Sequence, residues 1–185
     1  MGTRLGRRNV LWLLAGLPVA CTSPNPALYT LAIVPGPTHP AAPPRIELRE
    51  IALAHYLERS QIVRSSEDFR LDVLGNDWWG EPLDTMLSRV LVQELSQRLP
   101  GSAVFAENGA ITATPDATVE VNVQRLDEDR SGALILVAQV AVTGRVTVTR
   151  NLRFAVPPPS SATAGLVSAM STALGNLADA IAAML

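Results

Sequence analysis

The stretch His55-Tyr56-Leu57-Glu58-Arg59-Ser60-Gln61-Ile62-Val63-Arg64, continued by Phe69-Arg70-Leu71-Asp72-Val73-Leu74 and closed by Asp77-Trp78-Trp79-Gly80-Glu81-Pro82-Leu83, decides the fold. It holds two of the three Trp, one of the two Tyr and one of the three Phe of a chain with only 4% aromatic residues. The large side chains available for packing or contact are concentrated here. Ile62 and Val63 open an extended run, and Ser65-Ser66-Glu67-Asp68 supplies turn chemistry. Phe69, Leu71 and Val73 then alternate with Arg70 and Asp72, the period of a strand with one buried face. Gly75-Asn76-Asp77 reads as the break that ends this strand. Pro82 falls where the first helical residue belongs, since its missing N–H costs nothing there. The stretch is therefore a hairpin that hands over to a helix.

Downstream, Pro82 to Leu99 carries the clearest helical period. Leu83, Met86, Leu87, Val90, Leu91 and Leu95 share a stripe, and Asp84, Ser88, Gln93, Glu94 and Gln97 are assigned to the opposite side. Pro100-Gly101 stops it. After a short strand at Ala103-Val104-Phe105 come three more. Ala117, Val119, Val121 and Val123 alternate with polar residues; Leu134 to Val142 is almost continuously apolar, as in a strand covered on both faces; Val146 to Phe154 alternates again. Their short links predict an antiparallel meander. Pro157-Pro158-Pro159 ends the sheet and Ser160-Ser161 opens a second helix reaching Leu185, with Leu166, Met170, Leu174, Leu177, Ile181 and Met184 as its stripe. Upstream, Leu28 to Val34 and Arg45 to Ile51 read as strands separated by a Pro-rich connector. The order predicts an α+β domain over residues 27–185: a largely antiparallel sheet with two main helices packed on one face.

The first twenty residues differ in kind. Arg4, Arg7 and Arg8 form a basic start, and Val10 to Ala20 is an apolar run of 11 residues. That is too short for a bilayer span, which needs ~20 residues, and it matches a secretory signal. Cys21, the only cysteine, follows at once. The arrangement resembles a bacterial lipobox, with Pro18 where Leu is usual and Leu17 one place upstream. It implies a signal peptide over 1–20, lipidation of Cys21, and a tether over 21–26 that reaches under about 20 Å. Thr22, where an inner-membrane-retained lipoprotein of the enteric type carries Asp, points to the periplasmic face of the outer membrane.

Charge and motif content exclude several classes. All 15 basic residues are Arg, and beyond residue 20 the chain has 12 basic and 17 acidic residues. Such a surface is a poor match for nucleic acid, which needs clustered cations. His39 and His55 are the only histidines, so no His or Cys cluster suggests a metal site. Asp127-Glu128-Asp129-Arg130-Ser131-Gly132 imitates the start of a calcium loop, but Ala138 stands where the bidentate Glu belongs, and an acidic hairpin turn is the better reading. No nucleophile motif and no phosphate loop is present, so neither an enzyme nor a cofactor is expected.

The paired motifs resemble one family. Ala27-Leu28-Tyr29-Thr30-Leu31 soon after the lipobox cysteine, Tyr56-Leu57-Glu58-Arg59-Ser60-Gln61-Ile62-Val63-Arg64, and Trp78-Trp79-Gly80-Glu81-Pro82-Leu83 heading a Leu-rich helix are similar to the ABC-type transport auxiliary lipoproteins. Trp78 stands where Arg is common in that family, and Gly80 where Ala is. The resemblance implies a non-catalytic, lipid-anchored periplasmic subunit of an envelope lipid-transport system. Its partners would be an MCE-domain protein, a permease and an ATPase, and some members form homo-oligomeric rings. Tyr56, Arg59, Gln61, Arg64, Trp78, Trp79 and Glu81 are the candidate partner-binding residues. Read from the residues alone, a structural or chaperone-like envelope-assembly lipoprotein with no transporter partner stays open.

Overall fold

A computed structural model of the chain describes Gly2 and residues 25–40, 42–111 and 113–185. The expected signal peptide, apart from Gly2, and the expected lipidation site Cys21 with the first residues of its tether lie outside the described residues. One long strand, β7 (Ala117–Glu128), organises the rest. Along one edge it pairs antiparallel with β8 (Leu134–Thr143), which pairs in turn with β9 (Thr147–Val156). Along the other edge three short strands follow one another in chain order, all parallel to β7: β2 (Arg45–Leu48), β3 (Ala52–Leu53) and β4 (Gln61–Ser65). β6 (Ala103–Ala106) lies outside β2, β5 (Asp72–Trp79) outside β4, and β1 (Ala27–Tyr29) outside β5. The chain is α+β, as expected, but its nine-stranded sheet is mixed: the long pairs are antiparallel and the short ones largely parallel.

Climbing one edge of β7 in three steps has a geometric consequence. Leu53 pairs with Val123 and Ser65 with Glu128. Twelve residues of the edge chain therefore advance beside five of β7. The surplus leaves the sheet as an excursion, residues 54–60, containing a single 3-10 turn at His55–Leu57.

The inward residues Val119, Val121 and Val123 of β7 and Leu136, Ala138, Val140 and Val142 of β8 are all at most 4% exposed. α2 (Thr163–Ala182) packs over β7, β8 and β9, and α1 (Leu83–Arg98) lies against α2 and β6. The expected stripe of α1 is buried throughout, as is that of α2 from Leu166 to Ile181. Among the described residues, no helix is long and apolar enough to cross a membrane.

Several boundaries differ from the sequence expectation, each for a physical reason. β8 is buried mainly on one face: Gln139 is exposed and Val137 and Ala141 are half-buried, because no element among the described residues covers the far side. β5 runs through Gly75-Asn76-Asp77, since parallel pairing with β1 from Ala27↔Asp77 onward holds it extended. Phe69 does not alternate inward; it is fully exposed in a turn whose residues Asp68 and Phe69 have φ of 56° and 62°. Pro82 precedes the first helical residue by one place, with its carbonyl accepting the Met86 N–H.

The expected strand Leu28–Val34 stops at Tyr29. Beyond it the chain becomes a strap over the helices, because side chains take its backbone donors. Leu31 N–H points to Met86 Sδ at 3.3 Å, Ala32 N–H to Ser171 Oγ at 3.0 Å and Val34 N–H to Glu94 Oε1 at 2.8 Å. Glu94 is consequently buried, against its assignment to the polar side of α1.

Candidate partner-binding site

The excursion 54–60 brings its motif residues beside the segment that follows β5. Trp79 N–H donates to Ser60 O at 2.7 Å, and Gly80 N–H to Tyr29 O at 2.9 Å. These two bonds tie all three family-like motifs together, the first through Tyr29, the second through Ser60 and the third through Trp79 and Gly80. Between the excursion and the start of α1 lies a cleft of about 400 Å³ lined by Arg59, Ser60, Trp79, Glu81 and Asp84 among others. A second hollow of about 580 Å³ continues it past Glu58 and Asp84 towards Glu50 and His55. The two form one trough with an acidic rim.

Within it the predicted residues divide by role. Arg59 is exposed; its Nε donates to Tyr56 O at 2.9 Å, and no carboxylate pairs with it among the described residues. His55 Nδ1 lies 3.0 Å from Glu58 Oε2, and this hydrogen bond, with the carboxylate charge, raises the imidazole pKa. Glu81 Oε1 is held by Arg89 at 2.6 Å. Trp78, next to Trp79 in β5 but outside the cleft's lining, is half-buried; its Nε1 donates to Gly75 O at 3.1 Å, and it pairs across the sheet with Gln61.

The other three hold the frame. Trp79 is 6% exposed and belongs to the core, so it forms the cleft's floor and offers little surface. Tyr56 is half-buried, and its hydroxyl donates to Asp127 Oδ2 at 2.8 Å. Burial, followed by that hydrogen bond to a carboxylate, holds its pKa far above the ordinary range for a phenol. Asp127 is itself fully buried and accepts from Arg125 Nε at 2.8 Å. Arg64 faces away from the trough: Nη1 donates to Ser161 O at 3.2 Å and lies 3.7 Å from Glu128. It clasps the entrance of α2 to β7. Of the predicted set, Arg59 and Glu81 thus line the trough, while Trp78 and Gln61 pair on the adjoining strands.

Sequence reasoning missed a second polar cluster, beneath the strap. Arg98 is fully buried, with Nε 2.5 Å from Asp179 Oδ1 and its other nitrogens on Glu94 O and Gly175 O. Glu94 Oε2 has no hydrogen-bond partner among the described residues, and burial pushes this carboxyl up to about 7. A signal existed: 90, 94 and 98 fall on one helical face, so Val90 already placed both charges on the buried side. Among the described residues no group of three or more His, Cys, Asp or Glu could hold a metal ion. The calcium-loop imitation forms the β7–β8 turn, in which Asp129 Oδ1 accepts from the N–H groups of Ser131 and Ala133.

Comparison with known proteins now decides the family. The model of the ABC-type transport auxiliary lipoprotein component matches residues 29–182. The chain belongs to this family. Intermembrane transport lipoprotein PqiC of Escherichia coli K12 and that of Shigella flexneri are each 30% identical to it over 115 residues. The match covers 59% of this chain and 59% of those relatives. Two solved structures share the fold. A crystal structure of an uncharacterized protein has a TM-score of 0.74 at 19% identity, covering 87% of this chain and 99% of that one. Protein XCC0632 of Xanthomonas campestris has a TM-score of 0.66 at 20% identity, covering 84% and 92%. As a lipoprotein component of a transport system, the chain is associated with the cell envelope.

Proposed function

We propose that this chain is a non-catalytic accessory subunit of an MCE-type ABC lipid-transport system. It is anchored through acylated Cys21 at the periplasmic face of the outer membrane and docks or extends the conduit between membranes. The observation that carries the reading is that two backbone bonds tie all three family-like motifs together, the second and third lining one trough where Arg59, beside Glu81, has no carboxylate partner among the described residues. Trp79 and Tyr56 fix the walls; Arg59, Trp78, Gln61 and Glu81 meet the partner. The partners are an MCE-domain protein, with a permease and an ATPase behind it, and copies of the chain assemble as a ring around the conduit. Anchoring raises the effective concentration of trough and partner without any new contact.

Co-purification from detergent-solubilised envelopes, read by mass spectrometry, tests this. The tagged chain brings down a permease, an ATPase and an MCE protein; Arg59→Ala with Trp78→Ala releases them while the fold stays intact. Cys21→Ser weakens function and leaves the fold unchanged. Capture of envelope-assembly proteins alone would move the chain to a structural role, and full function from the soluble Cys21→Ser form would remove the anchor from the mechanism.

A further inference from the structure

The tip of the β4–β5 hairpin spends energy without an internal return. Arg70 N–H donates to Glu67 O, closing a turn whose two central residues, Asp68 and Phe69, both have left-handed backbones. A bulky side chain at such a φ is an outlier, and strain of this kind persists where surrounding contacts impose it. Those contacts are present. Arg130 pairs with Asp68 and Glu67, and Arg125 with Glu67 at 2.7 Å. Yet Phe69 touches nothing that would bury it: it is fully exposed, and Leu71 beside it is 38% exposed. A braced, strained turn that holds an aromatic ring outward suits contact with something outside the chain.

Where the described chain begins says what that is. Asn76 Nδ2 donates to Asn25 O at 3.5 Å, and Ala27 pairs parallel with Asp77. Followed back towards its start, β1 therefore heads along β5 to the hairpin tip. Cys21 lies four residues before Asn25, a reach of at most ~14 Å. The tip is a similar distance from that point, since Gly75 to Leu71 is four residues, ~13 Å along a strand. That reach is long enough for a lipid on Cys21 to bring the bilayer surface to Phe69.

We propose that the Phe69–Leu71 tip is a second membrane contact, seated in the headgroup region of a phospholipid surface and orienting the domain on its anchor. The inference rests on the lipid-anchor reading above. Phe and Leu are among the side chains with which surface-bound segments bury their apolar side at the headgroup–acyl boundary. Arg70, which has no carboxylate partner among the described residues, meets headgroup phosphate, while Asp72 keeps the tip's charge mixed. Seating is therefore driven by apolar contact and is nearly independent of salt.

The test uses the full chain, reconstituted through its own anchor into phosphatidylcholine vesicles containing a nitroxide-labelled lipid. Acylation consumes the Cys21 thiol, so a polarity-sensitive fluorophore on Leu71→Cys reports the tip alone. Val146→Cys, in the exposed turn at the opposite end of β8, serves as control. The expected result is blue-shifted, nitroxide-quenched emission at 71 in low and high salt, none at 146, and loss of both signals at 71 in a Phe69→Glu background. A water-exposed reporter at 71, or quenching at 146 instead, overturns the proposal. Shielding at 71 that appears only on adding a purified partner protein overturns it in favour of a protein socket. A chain whose mass shows no acyl group, with dye attached at Cys21, brings down the anchor reading and this inference together.

Discussion

At the scale of single residues, the adjacent tryptophans show how one motif divides its labour. Successive strand residues point to opposite faces, so Trp79 enters the core and Trp78 stays at the rim. Trp79→Ala is expected to lose ~3–5 kcal/mol through cavity formation, read as a lower urea midpoint. Arg59→Ala, at an exposed position, should leave the midpoint within ~0.5 kcal/mol while abolishing partner capture. Tyr56→Phe should cost ~1–3 kcal/mol, because it strips one hydrogen bond from buried Asp127. Equal losses for Arg59→Ala and Tyr56→Phe would contradict this division. Which of these side chains face out is not written in the motif itself. It depends on the register against β7 and on the seven surplus residues that form the excursion, and neither is local information.

At the scale of elements, the strap and α1 form one device. Glu94 accepts the Val34 N–H and has a folded pKa of about 7 against an ordinary 4.5, chiefly through burial. The folded state therefore holds this proton more tightly than the unfolded chain does. Its contribution is present in full below about pH 4.5 and is lost as the pH rises through about 7. Urea melts at pH 5 and pH 8 should show a decline that Glu94→Gln abolishes, by roughly 2 kcal/mol. The amide keeps the acceptor for Val34 and needs no ionisation. A pH profile unchanged by Glu94→Gln would refute the assignment. Gly36 passes so close over the Arg98–Asp179 pair that an added Cβ would collide with both side chains. Gly36→Ala should accordingly cost ~1–3 kcal/mol by overpacking, measurable in the same melts. The helices and the β7–β9 meander were legible in the sequence because each carries its own period. The strap was not: Leu31 to Val34 has the composition of a strand, and only tertiary partners, Met86, Ser171 and Glu94, divert its N–H groups from a ladder.

At the scale of the whole molecule, the two ends of the sheet differ. One end gathers the hairpin tip, its braces from β7 and the β7–β8 turn, and the start of β1. The other carries Val146 and the C-terminal turn of α2. The trough lies along the flank of this axis, at the excursion that the long strand forces on its neighbour. Fold class and family were both readable from the motifs, whereas the parallel pairing of β2, β3 and β4 to one strand was not, since short links downstream suggest only antiparallel neighbours.

That pairing also sets a schedule. β2, β3 and β4 all wait for β7, which is synthesised after them, and before Ala117 none has its central partner. A chain ending at residue 116 should show no cooperative melt in circular dichroism, and a chain carried on through β9 and α2 should acquire one. If the chain is exported through a narrow translocon, as the proposed anchor requires, it gains from this order. Until β7 follows, its first hundred residues lack the strand that joins their pairs into one sheet, which favours a chain that stays threadable until most of its length has been made.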